Sequence, residues 1–438
     1  MNPLFEKQMR DLLKTEADTY FACLNQPAKK GFRINTLKGD ADQLFSCLSI
    51  SHEKSQFADN GYYTDAKAGI GHTPEYMAGA FYMQEPSASS AVTVLKPLPG
   101  MKVLDLCAAP GSKSTQIGEM MKNQGLLVVN EINSQRARIL LENIERHGIT
   151  NAVVTNSDTK VIADTLEEYF DMVLCDAPCS GEGMMRKENE AISQWSPKLV
   201  ESCAALQKEI LSNAYRCLKP GGTLVYSTCT LNKVENEQQV LSFLQNHPDM
   251  HMCDAGVNFG RCAFETAYDI DKAIRIFPMD EGEGHFVAKM KKDGTARNYD
   301  LPVRKSDVIA RSTKQVIEDT IEVPYPYMFA SKARVYGSVN PFYDFGKIHV
   351  LRQGVLLGEE KKGRFEFSHH FFMSTHSHFR NSFSMNEAQC RAYMHGEQIT
   401  ADSHPGMVAM CYHGYVIGGA KSDGRVMKNR YPKAFRTR

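Results

Sequence analysis

Between residues 101 and 246, short apolar runs alternate regularly with amphipathic segments, a pattern that few folds accommodate. The apolar runs predict strands at 103–106, 126–131, 153–156, 172–176 and 222–227. Segments with helical periodicity lie between these runs and after the last one, over 114–122, 134–147, 203–218 and 235–246. Apolar strands that alternate with helices predict a parallel sheet with helices on both faces.

The motifs with polar or reactive side chains all follow the carboxyl ends of these predicted strands. In chain order they are the turn Cys107, Ala108, Ala109, Pro110, Gly111, Ser112 and Lys113, then Glu131, Asp158, Asp176 with Cys179, and Cys229. Ligands of open parallel sheets bind outside the carboxyl ends of the strands. The common position of these motifs therefore predicts one site at one edge of the sheet.

The turn from Cys107 to Lys113 suits a ligand that contains a nucleoside. Its small residues let the backbone approach a ligand closely, and the following helix offers free amides. It has neither the dinucleotide pattern nor the Walker lysine arrangement. Glu131 is placed to accept both ribose hydroxyls, and Asp158 is placed to receive an adenine amino group. Each acid alone is more often a helix cap, but their register with Asp176 favours a bound nucleoside.

Two cysteines, Cys179 and Cys229, lie in separate motifs at the ends of the fourth and fifth predicted strands. A pyrimidine carbon is a poor nucleophile and accepts a methyl group only after a thiolate has added to carbon 6. One cysteine suffices for the addition, and a second can help to break the adduct. Because a free thiol is mostly protonated at neutral pH, the nucleophile needs an electropositive neighbour, for which Lys113 is the candidate. These segments predict a cofactor-dependent methyltransferase that acts on a base.

In the segment that follows the fourth predicted strand, residues 180–183 predict a backbone that can close over a planar ligand. The carboxylate of Asp176 can bind the Watson–Crick edge of a cytosine, and Pro178 stiffens the loop. Arg186 and Lys187 follow, either as contacts to flanking phosphates or as solvated loop cations. Both alternatives stay open at this point.

Length and composition are those of an ordinary globular protein. The chain has 438 residues, 42% hydrophobic and 23% charged, which predicts about three domains. The first residues are charged too early for a signal peptide, and no apolar run is long enough for a membrane span. Its 12 cysteines then indicate a reducing compartment rather than a disulfide framework. We expect a cytoplasmic protein.

Charge is balanced overall but divided along the chain. Residues 331–438 contain 16 Lys or Arg against 8 Asp or Glu, whereas residues 1–330 contain 35 against 43. The basic residues concentrate in a tail from Lys421 to Arg438. Such a tail is either a phosphate-binding surface or a solvated end, and charge alone favours neither.

The regions that flank the alternating segment have less regular patterns. Residues 1–95 predict a helix at 5–23, a strand at 31–37 and a helix at 88–95, whereas 291–325 is predicted as a polar linker. Residues 335–364 predict short strands, and 407–419 a hairpin that turns at His413 and Gly414. The histidine-rich segment 368–378 lacks cysteines or acids at metal-ligand spacing, and we assign no metal. We predict domains at 1–95, 96–292, 293–370 and 371–438.

These motifs resemble the Nol/Nop/Sun family of RNA (cytosine-C5) methyltransferases, and within it the bacterial RsmF/YebU-like branch. The resemblance covers residues 105–113, Glu131, Asp158, 176–183 and 226–231, and extends to 33–37, 82–87 and 427–433. It implies an α/β class I (Rossmann-like) methyltransferase core, with residues 284–290 as an antiparallel last strand. It also implies an N-terminal α+β domain and a C-terminal PUA-like module, both of which bind RNA.

The resemblance also implies a cofactor and a role for each site residue. S-adenosylmethionine would be held by Cys107, Ala108, Ala109, Pro110, Gly111, Ser112, Lys113, Glu131, Asp158 and Asp176. Cys229 would be the nucleophile, Cys179 would aid release, and the position of Cys229 after Thr228 indicates RNA rather than DNA. The sequence departs from the family at Asp158, which is not followed by the usual Gly or Ala.

The sequence thus predicts methylation of carbon 5 of cytosine in RNA, with 16S rRNA or the small ribosomal subunit as partner. Two alternatives stay open: a tRNA (cytosine-C5) methyltransferase, and an RNA-binding assembly factor whose methylation is dispensable. We expect a monomer that does not associate with membranes.

Overall fold

A computed structural model describes residues 2–65, 69–187, 189–296 and 298–437. Arg438, the last residue of the predicted basic tail, lies outside this part. The N-terminal region contains α1 (Pro3–Leu13), α2 (Ala17–Leu24), β1 (Lys30–Ile34), α3 (Ala41–Cys47), β2 (His52–Lys54), β3 (Gly61–Thr64), α4 (Pro74–Met77), β4 (Phe81–Met83) and α5 (Ser90–Leu95). Its four strands form an antiparallel sheet in the order β2-β3-β1-β4.

The central region begins with β5 (Lys102–Asp105), α6 (Ser112–Met120), β6 (Leu126–Asn130), α7 (Ser134–His147), β7 (Ala152–Thr155), α8 (Thr159–Thr165) and β8 (Phe170–Asp176). It continues with α9 (Asn189–Gln194), α10 (Pro197–Cys217), β9 (Leu218–Thr228), α11 (Glu237–Asn246), β10 (Met250–Met252), β11 (Arg261–Cys262), β12 (Ile274–Ile276) and β13 (His285–Lys292). All five predicted central strands are confirmed, with bounds shifted by a few residues.

The C-terminal region contains α12 (Arg311–Glu318), β14 (Tyr327–Ser331), β15 (Arg334–Ser338), β16 (Val350–Gln353), β17 (Val355–Lys361), β18 (Arg364–Phe367) and α13 (His369–Met373). It ends with β19 (Ser382–Ser384), α14 (Glu387–His395), β20 (Ile399–Thr400), β21 (Gly406–Tyr412), β22 (Tyr415–Ser422) and β23 (Val426–Asn429). Two sheets result, in the orders β14-β15-β17-β18 and β19-β21-β22-β23-β20.

The central sheet has the order β11-β12-β13-β9-β8-β5-β6-β7-β16, with β10 also paired to β13. Strands β5 to β9 are parallel, and β13 is antiparallel to β9. The strand expected over 284–290 is therefore confirmed as antiparallel. Alternate residues of each central strand face opposite sides: Leu104 and Val128 pack in one core, Val103 and Leu127 in the other. The class I methyltransferase fold predicted from the sequence is confirmed.

The two ends of the chain pack against each other. One apolar core combines Phe32 and Phe81 of the N-terminal sheet with Tyr393 of α14 and Met410 of β21. The hairpin predicted at 407–419 is confirmed as β21 and β22, and His413 turns it with a φ of 50°. The turn lies against the N-terminal region, where His413 Nδ1 is 2.7 Å from Glu75 Oε1.

Two local predictions differ from the structure, and one strand pairing has no counterpart among the predictions. The helix predicted at 5–23 is two helices, because Lys14 takes a φ of 51° between them. The predicted linker 291–325 contains α12, whose Thr313 and Ile317 are buried one turn apart in an otherwise polar segment. Strand β16 pairs with β7 and extends the central sheet, a long-range contact that no local pattern indicates.

Candidate active site

The two cysteines predicted as reactive meet at the carboxyl ends of β8 and β9. Strand β8 ends at Asp176 and leads to Cys179, and β9 ends at Thr228 directly before Cys229. Their Sγ atoms are 3.2 Å apart, and both thiols are free and partly exposed. Cys179 and Cys229 are 50 positions apart in the chain, and they meet because β8 and β9 are adjacent parallel strands.

Asp176 and Lys113 form an ion pair beside the thiols. Lys113 Nζ donates to Asp176 Oδ2 at 2.7 Å, and Ser227 Oγ donates to Asp176 Oδ1 at 2.6 Å. The lysine side chain is 11% exposed and the aspartate 28%, so the pair lies at the border of the cleft. The ammonium group of Lys113 binds Asp176 rather than a thiol. Lys113 therefore acts on Cys229 through its charge.

The electrostatic setting distinguishes the two thiols. The hydrogen bond from Cys179 lowers the pKa of Cys229, and the positive charge of Lys113 acts in the same direction. The same hydrogen bond, together with burial, raises the pKa of Cys179 well above its usual value. Burial also raises the pKa of Cys175 and Cys107. Cys229 is therefore the thiol of this cluster that most readily becomes a thiolate.

The small-residue turn connects β5 to α6 and is held by side chains of α7. Arg136 donates to the carbonyl of Ala109, and Asn143 donates to the carbonyl of Pro110, both at 2.8 Å. Gly111 has a φ of 110°, which permits the turn into α6. All seven residues from Cys107 to Lys113 thus lie at the carboxyl edge predicted from the sequence.

A cleft of about 420 Å³ extends from this turn to the cysteines. It is lined by residues Leu106, Cys107, Ala109, Asn130, Glu131, Ile132, Asn133, Arg136, Asp158, Thr159, Asp176, Ala177, Pro178, Cys179, Leu206, Glu209, Ile210 and Cys229. A cleft of this size accommodates a nucleoside-sized ligand.

Glu131 and Asp158, two acids of the cleft, differ in the protein groups that their carboxylate oxygens contact. Glu131 accepts the amide of Asn133 at 2.9 Å, and its other oxygen is 3.4 Å from Arg136. Asp158 caps α8 by accepting the amide of Lys160 at 2.8 Å. Ile132 is 63% exposed beside Glu131, an apolar wall that sequence reasoning missed because single exposed isoleucines are common.

Sequence reasoning also missed the buried glutamates that join the loops after the two cysteines. Glu182 accepts the amides of Leu231 and Asn232 at 2.8 and 2.7 Å. Glu235 accepts the amide of Ser180 at 3.0 Å. Neither residue has a local signal of burial, since glutamate is usually exposed.

Arg33 of the motif at 33–37 is buried against the cofactor turn. Its guanidinium donates to the carbonyl of Ser112 at 3.1 Å and to Thr115 Oγ1 at 2.8 Å, and it pairs with Glu119. Asn35 likewise donates to the carbonyls of Gly79 and His147. The polar side chains of this motif therefore dock the N-terminal region on the central region.

Both alternatives for Arg186, a phosphate contact and a solvated loop cation, are wrong. Its Nη2 and Nε lie 2.6 and 2.8 Å from the two oxygens of Glu283, and its side chain is only 6% exposed. A buried, bidentate ion pair satisfies the guanidinium inside the protein.

In the part of the chain that the structure describes, no group of three or more His, Cys, Asp or Glu side chains is placed to hold a metal ion. The described helices also include none that is long and apolar enough to cross a membrane.

Family models match four successive parts of the chain. Residues 92–291 match 16S rRNA methyltransferase RsmB/F, and residues 1–86 match the N-terminal domain of 16S rRNA methyltransferase RsmF. Residues 315–374 match the first C-terminal domain of RsmF rRNA methyltransferase, and 380–437 match the RsmF PUA domain.

Full-length relatives agree with these matches. The chain is 33% identical over 445 residues to ribosomal RNA small subunit methyltransferase F of Vibrio vulnificus, covering 95% of this chain and 93% of the relative. It is 34% identical over 456 residues to the protein of that name from Vibrio cholerae, covering 96% and 93%. The chain belongs to the RsmF family. The resemblance seen in the sequence is confirmed for this branch.

Solved structures support the core of the RsmF-family fold. A methyltransferase homolog from Pyrococcus horikoshii is 30% identical with a TM-score of 0.59, over 67% of this chain and 95% of that one. NSun6 from the same organism, solved with SFG, is 22% identical with a TM-score of 0.59 over 66% and 98%, and shows the fold alone. The cofactor of this RsmF-family protein is S-adenosylmethionine.

Proposed function

We propose that the chain methylates carbon 5 of a cytosine in 16S rRNA, through a covalent Cys229 adduct that Cys179 helps to resolve. The observation that carries the proposal is the 3.2 Å approach of the two thiols at the end of the cofactor cleft. Methylation at a heteroatom of a base needs no thiol, whereas methylation of a pyrimidine carbon needs a nucleophile on carbon 6. A second thiol in contact with the first favours the carbon chemistry.

The residues of the cleft fit S-adenosylmethionine. Glu131 would accept the ribose hydroxyls, because its second oxygen has only a long contact with Arg136. Ile132 and Pro178 offer apolar walls for adenine, and Asp158 would receive the adenine amino group. The backbone of the turn from Cys107 to Lys113, together with Asp176, would hold the remainder. When bound there, S-adenosylmethionine supplies an electrophilic methyl group.

In the proposed reaction, Asp176 binds the edge of a cytosine that has left its stack, at a cost of a few kcal/mol. The Cys229 thiolate adds to carbon 6, and the electron pair of the former double bond moves to carbon 5. Carbon 5 forms the bond to the methyl group as the bond between that methyl group and the sulfonium sulfur breaks, and the electron pair of the broken bond stays on the sulfur. Transfer of the carbon-5 proton to a water molecule restores the double bond and expels the Cys229 thiolate. Cys179, in contact with Cys229, is placed to assist this release.

The names of the relatives support the proposed choice of substrate. The two Vibrio proteins are named small subunit methyltransferases, which favours 16S rRNA over tRNA for this chain. The exposed basic residues of β22 and β23 in the PUA-domain match, with Lys421 opposite Lys428, provide a surface for phosphates.

The test compares three RNA substrates with labelled S-adenosylmethionine: purified small subunits, naked 16S rRNA and total tRNA. We expect label in 16S rRNA or the small subunit at a cytosine that resists bisulfite, and none with Cys229→Ala. Label in tRNA alone would show that tRNA, and not 16S rRNA, is the substrate. Full transfer by Cys229→Ala would disprove the proposed nucleophile.

A further inference from the structure

The loop after each reactive cysteine carries a buried glutamate that binds the loop of the other cysteine. We call these the Cys179 loop (residues 177–187) and the Cys229 loop (residues 229–236). Glu182 of the Cys179 loop accepts the amides of Leu231 and Asn232, just after Cys229, on one oxygen at 2.8 and 2.7 Å. Its side chain thus fixes the backbone on the other side of the thiol pair.

The reverse contact is made by Glu235 of the Cys229 loop. It accepts the amide of Ser180, directly after Cys179, at 3.0 Å, and it also accepts the Ser180 hydroxyl. Gln207 and Asn232 each donate a further hydrogen bond to it at 2.7 Å. The two carboxylates therefore hold the loops reciprocally, each from the side of one cysteine.

Both positions require a carboxylate rather than a neutral isostere. The second oxygen of Glu182 accepts Trp195 Nε1 at 2.8 Å and Gln8 Nε2 at 2.9 Å, so its contacts are all with donors. Among the described residues, no cation lies within ion-pair distance of Glu182 or Glu235. Burying a carboxylate is costly unless several donors offset the lost hydration. A carboxamide would place an N–H₂ group against N–H donors.

The separation of the thiols depends on how these two loops are held together. Besides the two glutamates, the amide of Gly183 donates to the carbonyl of Cys229 at 2.9 Å, and Ser180 Oγ lies 2.8 Å from Thr230 Oγ1. The two glutamates add four hydrogen bonds between the loops, three of them to backbone amides. A nucleophile displaced by about 1 Å loses on the order of a hundredfold in rate. Loop geometry and reactivity are therefore linked.

We propose that Glu182 and Glu235 are positioning residues that fix the distance between the Cys179 and Cys229 thiols. They touch neither substrate nor cofactor in this account, and they act through the two loops. The inference deepens the proposed function, since it rests on the roles assigned there to the two cysteines.

The test measures the thiol separation independently of methylation. Wild type, Glu182→Gln and Glu235→Gln are equilibrated with reduced and oxidised glutathione. The two thiols give up two protons and two electrons as the disulfide forms, and one oxidised glutathione becomes two reduced molecules. Mass spectrometry of the peptides quantifies the Cys179–Cys229 disulfide, whose equilibrium constant reports the effective concentration of one thiol at the other.

We expect the equilibrium constant for disulfide formation to fall about tenfold or more in both Gln variants. Turnover at saturating RNA should fall with it, whereas KM for S-adenosylmethionine should stay close to the wild-type value. The matched control is Glu145→Gln, a buried carboxylate on α7 that pairs with Arg352 away from the cysteines. It should leave the disulfide equilibrium unchanged.

Two results would overturn the inference: wild-type equilibrium in both folded Gln variants, or reduced turnover with an unchanged equilibrium. If near-UV circular dichroism shows that the Gln variants are unfolded, Trp195→Phe and Ser180→Ala replace them. Each of these removes one donor to a glutamate, and each should lower the equilibrium constant; no change in either would overturn the inference. A lowered equilibrium in variants of a wild type that methylates no RNA would support the positioning role and contradict the proposed function.

Discussion

At the scale of single residues, Lys113 connects the cofactor turn to the reactive thiols. Its ammonium group pairs with Asp176, and its charge also acts on Cys229. Asp176 acts on Cys229 in the opposite direction, so the ion pair balances two effects on one thiol.

Lys113→Met should raise the pKa of Cys229, because it removes a cation and leaves the Asp176 carboxylate without its partner. The thiolate fraction at neutral pH then falls, and the acid limb of the rate profile moves to higher pH. Alkylation of Cys229 by iodoacetamide as a function of pH measures the shift. Lys160→Met, which breaks an exposed pair with Asp164, is the control and should leave the profile unchanged. An unchanged profile for Lys113→Met would contradict this electrostatic account.

Glu131→Gln should weaken binding of S-adenosylmethionine by about tenfold or more, since hydrogen bonds to a charged acceptor contribute about 1.5–3 kcal/mol each. Isothermal titration calorimetry of the purified protein measures the loss. Glu142→Gln, at an exposed position of α7, is the control and should bind as wild type does. Equal affinity in both variants would contradict the assignment of Glu131.

At the scale of elements, the two cysteine loops approach the start of β13 more closely than a side chain allows. A Cβ on Gly183 would lie 2.4 Å from the carbonyl oxygen of Gly284 and 2.9 Å from that of Cys229. The absence of a side chain at Gly183 is therefore a packing requirement of the site.

Gly183→Ala should destabilise the protein by about 1–3 kcal/mol and lower turnover, because the backbone oxygens that it meets have little room to move. Thermal unfolding and methyl transfer are the measurements. Gly71→Ala is the control, since a Cβ there meets nothing within 4 Å. Wild-type stability and turnover in Gly183→Ala would contradict this packing requirement, because the loops would then tolerate a larger distance from the start of β13.

The central strands could be predicted from the sequence because apolar periodicity is a local pattern. The edge of the sheet where the motifs lie could be predicted as well, because the strand ends follow from that periodicity. The contacts of Glu182 and Glu235 were not, since each depends on two loops that meet only in the folded sheet. The same reason applies to Arg33, whose partners lie on α6, and to β16, which joins β7 from far along the chain.

At the scale of the whole molecule, the first and last regions form one apolar core beside the methyltransferase sheet. Lys421 and Lys428 lie opposite each other on β22 and β23, and both are exposed. Like charges directly opposite on a sheet repel, and a bound phosphate relieves the repulsion. The domain boundaries at 95, 292 and 370 stay a prediction.

The double variant Lys421→Gln/Lys428→Gln should bind RNA more weakly and reduce the slope of log affinity against log salt by roughly 1.5, as expected for two lost phosphate contacts. Fluorescence anisotropy across a salt series measures the slope. Lys347→Gln/Lys362→Gln removes the same charge from exposed positions elsewhere in the C-terminal region. An equal loss in both double variants would assign the effect to net charge rather than to this surface.

A denaturing gel of Cys179→Ala with S-adenosylmethionine and small-subunit RNA shows whether the two cysteines divide addition and release between them. A protein without the releasing thiol should accumulate as a slow band that RNase removes, and the band should vanish in Cys179→Ala/Cys229→Ala. A band that persists in the double variant, or no band from Cys179→Ala while wild type transfers methyl groups to the same RNA, would contradict the account.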